Sequence, residues 1–79
     1  MTVSLDDVRD LVALQLGRRA VAADDRLVED LGAESMDVMN VVAAAEDRYG
    51  VTIDEDEVPE LRTAADLYER VLSRLAGGG

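Results

Sequence analysis

Val38, Val41, Val42, Ala45 and Tyr49 recur at i, i+3, i+4, i+7 and i+11, one apolar stripe down a single helical face. A helix patterned in this way cannot bury that face alone, and two other stretches carry matching stripes. Leu5, Val8, Leu11, Val12 and Leu16 supply one; Ala64, Leu67, Tyr68, Val71, Leu72 and Leu75 supply the other. No alternating run of strand type competes with them. The chain has 79 residues and neither Cys nor His, so disulfides and structural zinc, the usual reinforcements of a domain this small, are out of reach. Helices sharing one apolar centre remain. The fold expected is all-α: a four-helix bundle of three longer helices and one short third helix, with a long loop between helices one and two.

Capping residues set the boundaries. Ser4 with Asp7 has capping-box spacing, and Gly17 is placed to end a first helix over 5–16. Residues 18–34 show no period, and Leu27, Val28 and Leu31 are the apolar side chains expected to pin this loop to the core. A connection of that length is uncommon in a compact domain unless it crosses between distant helix ends or has a function. Ser35 is expected at the N-cap of the second helix and Gly50 just past its end. The acidic run Asp54 to Glu57 predicts a brief third helix limited by Pro59, with Leu61 tucked into the core. Thr63 with Asp66 repeats the capping spacing before the last helix. Residues 1–76 read as one domain and 77–79 as a flexible Gly tail.

The net charge of −10 is strongly segregated: residues 29–60 hold eleven of the eighteen acids and one Arg, while the rest of the chain balances seven against seven. Such a surface is repelled by phosphate backbones and anionic lipid, so neither nucleic acid nor a membrane is an expected partner. Basic patches on other proteins are. No segment has the apolar length of a membrane span or the design of a signal peptide, which predicts a cytoplasmic protein.

Intrinsic catalysis is not expected. Without His or Cys no Ser-His-Asp or Cys-His system can be assembled, and a domain this size has little interior in which to desolvate one of its many carboxylates. Read as a calcium loop from Asp54, the acidic run would need oxygen ligands at Val58 and Gly at Pro59, so no metal site is expected.

What remains is a hydroxyl in particular surroundings, Asp30-Leu31-Gly32-Ala33-Glu34-Ser35-Met36-Asp37. A plain helix cap accounts for Ser35 and for Asp37 in the first turn. It does not account for Asp30 five residues earlier or Gly32 three residues earlier. Asp30-x-Gly32-x-x-Ser35 followed by a bulky apolar residue resembles the attachment signature of the phosphopantetheine-binding carrier proteins, the acyl carrier family in its free-standing form. The resemblance extends to the order and spacing of all four helices.

That resemblance implies several things. Ser35 would receive 4′-phosphopantetheine from coenzyme A through a separate phosphopantetheinyl transferase, with Asp30, Leu31, Gly32 and Met36 completing the motif. The arm's thiol would carry acyl groups as thioesters, which reconciles the function with the absence of Cys. The protein, a monomer and a phosphoprotein, would present this cargo to acyl-loading and acyl-processing enzymes of fatty acid, polyketide or related biosynthesis. Met36, Met39, Asn40 and Ala43 form a second stripe on the helix, and with Glu34, Asp37, Glu46 and Asp47 they would be the docking face for basic patches on partners. Acyl chains in the family can shelter between helices, and Ala43, Ala44 and Ala45 make that region small-sided, which could either widen a cavity or let the helices close up. Glu34, Met36, Asn40 and Arg48 depart from the commonest family residues and alter the recognition face, so a dedicated polyketide or other specialised pathway is expected at least as readily as housekeeping fatty acid synthesis. A discrete aminoacyl carrier, or an acidic interaction module using Ser35 only as a cap, are the alternatives.

Overall fold

The computed structural model describes residues 2–77. Three α-helices, α1 (Leu5–Leu16), α2 (Ser35–Tyr49) and α3 (Ala64–Gly77), are joined by a long loop and by a 3-10 helix over Glu55–Glu60. α1 packs against both α2 and α3, and the 3-10 helix against α2.

The caps do what their chemistry requires. The Asp7 N–H donates to Ser4 Oγ at 3.0 Å, and Gly17 turns left-handed at φ 67° while the Arg18 N–H reaches back to the Ala13 carbonyl at 2.8 Å. Before α3, Thr63 and Asp66 satisfy each other's backbone N–H through their side chains at 3.1 and 3.2 Å. All five residues of the α2 stripe are buried. They meet Val8, Leu11 and Val12 of α1 and Leu67 and Val71 of α3 in one core.

Several expectations are corrected. Val28 does not pin the loop: it is 54% exposed, and Val21, Leu27 and Ala33 are the loop's buried residues. Arg9 and Arg18 add to that anchoring by donating to the carbonyls of Val21 at 2.7 Å and Leu31 at 2.6 Å. Main-chain bonds from Leu27 to the Arg62 carbonyl, 2.9 Å, and from Ala65 to the Ala23 carbonyl, 3.0 Å, tie the loop to the approach of α3. The third helix is of 3-10 type and includes Pro59, running on to Glu60. Leu72 stays exposed, because it lies about 100° around the helix from the buried Val71. Gly77, the first residue of the expected tail, is the last of α3; residues 78 and 79 lie outside the described residues.

Two features of this frame are directly testable. The Tyr49 hydroxyl is buried with no hydrogen-bond partner among the described residues, and burial pushes its pKa up. An orphaned buried hydroxyl costs about 1–3 kcal/mol, so Tyr49→Phe should raise stability by about 1 kcal/mol, read as a higher urea midpoint at unchanged slope.

The second feature is Glu57 of the 3-10 helix. Its carboxylate accepts from the Asp54 N–H at 2.9 Å and from the guanidinium groups of both Arg70 and Arg74 of α3. Arg70 also reaches Glu60 at 2.8 Å. The Asp54 N–H, followed by the two arginines, holds the Glu57 carboxyl below the usual glutamate range. A depressed folded-state pKa means stability that is present above the unfolded value, about 4.3, and lost as pH falls through the folded value. The stability gap between wild type and Glu57→Gln should therefore be open at pH 7 and close below about pH 4, as measured by chemical denaturation across pH.

Candidate functional site

The segment before α2 is a turn built on Asp30. Its carboxylate accepts from the Arg26 backbone N–H at 2.9 Å and from the Arg26 guanidinium at 3.2 Å. The Arg26 side chain, and then its backbone N–H, hold the Asp30 carboxyl below its ordinary pKa. The N–H groups of Asp30 and Leu31 return to the Arg26 carbonyl. Gly32 then reverses the chain at φ 70° with nothing within 4 Å of where a Cβ would stand. The glycine is required by backbone conformation and not by crowding. Asp30 and Gly32 thus have structural tasks that a plain helix cap would not call for.

Ser35 is not the N-cap of α2. Glu34 holds that place in extended conformation, φ −91° and ψ 169°, and its N–H donates to Asp37 Oδ2 at 2.9 Å. Because Asp37 reaches back to secure the helix start, Ser35 moves to the first helical position. The residue is exposed, and its side chain forms no hydrogen bond among the described residues. A module that used Ser35 merely as a cap has lost its basis.

The remaining sequence-picked residues divide. Met36 is 74% exposed, and Met39, Asn40 and Ala43 are exposed with it, beside the exposed acids Glu34 and Asp47. Glu46 is half-buried and committed to the Ile53 N–H at 2.8 Å, while Asp37 is held by the helix start. Leu31 is half-buried against the core. Ala45 is fully buried, Ala44 partly so, and Ala43 outside, so the small residues pass through the α2 packing surface.

An apolar groove of about 340 Å³ opens elsewhere, beside Ser35. It is lined by Leu27, Val28 and Glu29 from the loop, Ser35, Val38 and Met39 from α2, Val58 and Pro59 from the 3-10 helix, and Leu61 and Arg62 after it. Sequence reasoning missed this groove. Val28 is its one visible signal, an apolar residue in a polar loop whose sequence context points equally to a core anchor. Among the described residues no acidic or other ligating cluster could hold a metal ion, and no helix is long and apolar enough to cross a membrane.

Residues 6–71 match the protein family described as a phosphopantetheine attachment site. An acyl carrier protein of Campylobacter curvus is 42% identical over 84% of this chain and 88% of its own. Among solved structures, the oxytetracycline acyl carrier protein superposes with a TM-score of 0.79 at 27% identity, covering 100% of this chain and 90% of that one. A 3-oxo-butyl carrier protein, an intermediate mimic from the actinorhodin polyketide synthase of Streptomyces coelicolor, gives 0.77 at 27% identity over 100% and 98% of the two chains. The chain therefore belongs to the phosphopantetheine attachment-site family, that of the acyl carrier proteins, whose members hold acyl groups on a covalent 4′-phosphopantetheine arm.

Proposed function

We propose that Ser35 Oγ is the attachment oxygen of this carrier, and that the protein presents acyl intermediates to the enzymes of a polyketide or related pathway in the cytoplasm without catalysing their chemistry. The observation that carries the assignment is an exposed serine, its side chain free of internal hydrogen bonds, on the first turn of α2 beside a groove able to take an aliphatic chain. When bound, the arm supplies the thiol that this Cys-free chain lacks.

The residues present fit such a group. Helix-terminal N–H groups with no intrahelical acceptor favour an anion near Ser35, and the Asp30–Arg26 turn and the left-handed Gly32 fix the course of the chain into α2. Met36 and Met39 offer exposed apolar contacts around the hydroxyl, and Glu34 and Asp47 offer charge. These acids steer basic partner surfaces in association more than they tighten the complex. Raising salt from about 0.05 to 0.5 M, which shortens the screening length severalfold, should slow association with a partner enzyme while dissociation changes little, as read by stopped flow.

The assignment of Ser35 is tested by incubating the protein with coenzyme A and a promiscuous phosphopantetheinyl transferase, then locating the added mass by proteolytic fragmentation. The mass is expected on Ser35. Its appearance on another hydroxyl, or no uptake by folded protein, overturns the proposal.

A further inference from the structure

The groove beside Ser35 is aliphatic along most of its wall, with two exposed charged residues, Glu29 and Arg62, among those lining it. Glu29 lies 4.0 Å from the Arg26 guanidinium. Arg62 is in a different state. Its backbone is fixed at both polar groups, the N–H donating to Asp66 at 3.0 Å and the carbonyl accepting from Leu27 at 2.9 Å. Its side chain is exposed and forms no hydrogen bond or ion pair among the described residues. By contrast, Arg9, Arg18, Arg26, Arg70 and Arg74 all give their guanidinium groups to a carbonyl or carboxylate oxygen, and Arg48 lies over the Tyr49 ring. Arg19 alone shares the condition of Arg62, and it does not line the groove.

A guanidinium presents five N–H donors in a rigid plane and is weakly hydrated, so it suits an oxygen acceptor at the edge of an apolar surface. A saturated chain entering the groove offers it nothing. A carbonyl-bearing chain faces the opposite problem, because burying its oxygen among aliphatic side chains is unfavourable unless a donor meets it.

We propose that Arg62 is a specificity-determining residue of the groove, donating to a carbonyl oxygen of the carried chain and so favouring 3-oxoacyl cargo over saturated cargo of equal length. The proposal rests on Ser35 being the attachment site, since that is what brings a chain to this groove.

The test loads wild type and Arg62→Gln from hexanoyl-coenzyme A and from 3-oxohexanoyl-coenzyme A with a promiscuous transferase. Each thioester is then cleaved with hydroxylamine, and its rate is divided by that of the same acyl group on free pantetheine. Wild type is expected to protect the 3-oxohexanoyl thioester more than the hexanoyl one. Arg62→Gln should lose about fivefold of the 3-oxohexanoyl protection, the order expected of one charge-assisted hydrogen bond near solvent, and leave hexanoyl protection and the melting temperature unchanged. Equal losses for both chains, no loss for either, or no protection of either in wild type would overturn the proposal. Mass spectrometry of the loaded protein keeps the two claims apart: loading on Ser35 with any of those adverse results sinks only the role of Arg62, whereas failure to load Ser35 sinks the attachment site itself.

Discussion

Ser35→Ala will take up no phosphopantetheine while melting within a few degrees of wild type. Loss of loading should be complete, because the ester needs that oxygen and no neighbouring side chain can supply one: Glu34, Met36 and Asp37 carry no hydroxyl. Stability should hardly move. With Ser35 read as the N-cap, the same substitution would cost about 1 kcal/mol. The structure gives the cap to Glu34 and the reinforcing bond to Asp37, leaving Ser35 as an exposed first-turn residue. Substitutions at such sites stay within about 0.5 kcal/mol, and Ala is the best helix former. Intact-mass measurement after transferase treatment and a thermal melt read the two halves of the result. A variant that still gained the arm would remove Ser35 from the site, and one that unfolded would make the serine structural.

Leu27→Ala should do the reverse, damaging the fold most among loop substitutions. Leu27 is 2% exposed although it lies in a segment without α-helix, and its N–H is bonded to the Arg62 carbonyl. Removing a fully buried Leu side chain costs about 2–5 kcal/mol, comparable to the whole of what a core this small supplies, about 3–5 kcal/mol. At roughly 4–8 °C per kcal/mol for a domain of this size, the melting temperature should drop by at least about 8 °C, with a substantial unfolded population at 37 °C. A drop of only two or three degrees would mean that the loop lies over a core complete without it.

Those two positions show where sequence reasoning reached and where it stopped. The three α-helices were legible because each carries its stripe beside a recognisable start or stop: Ser4 and Gly17 around α1, Gly50 after α2, Thr63 before α3. These are local signals, and local chemistry honoured them. The loop was legible in part: Leu27 and Leu31 were expected against the core and lie there, while Val28 does not. That Val21 and Ala33 turn inward while Val28 turns outward depends on main-chain bonds to residues 62 and 65, far along the chain. Ser35 was placed one position early because Ser is the stronger cap by general preference, whereas here Asp37 lends its carboxylate to the Glu34 N–H. The groove was invisible for the same reason as the loop's anchoring: its walls come from three separated stretches, 27–29, 35–39 and 58–62. The roles of Glu57 and Glu46 were likewise hidden within a charge count, since nothing local distinguishes an acid facing solvent from one tied to Arg70, Arg74 or the Ile53 N–H.

The floor of the groove is also part of the core. Leu27, Val38 and Leu61 are buried members of the central cluster and at the same time line the space beside Ser35. A guest lying there rests on the very atoms whose mutual contact keeps the domain folded, so occupancy and conformational integrity are a single equilibrium seen from two sides. Any ligand that fills this groove in the folded state alone would therefore raise the melting temperature, by an amount set by its affinity and concentration.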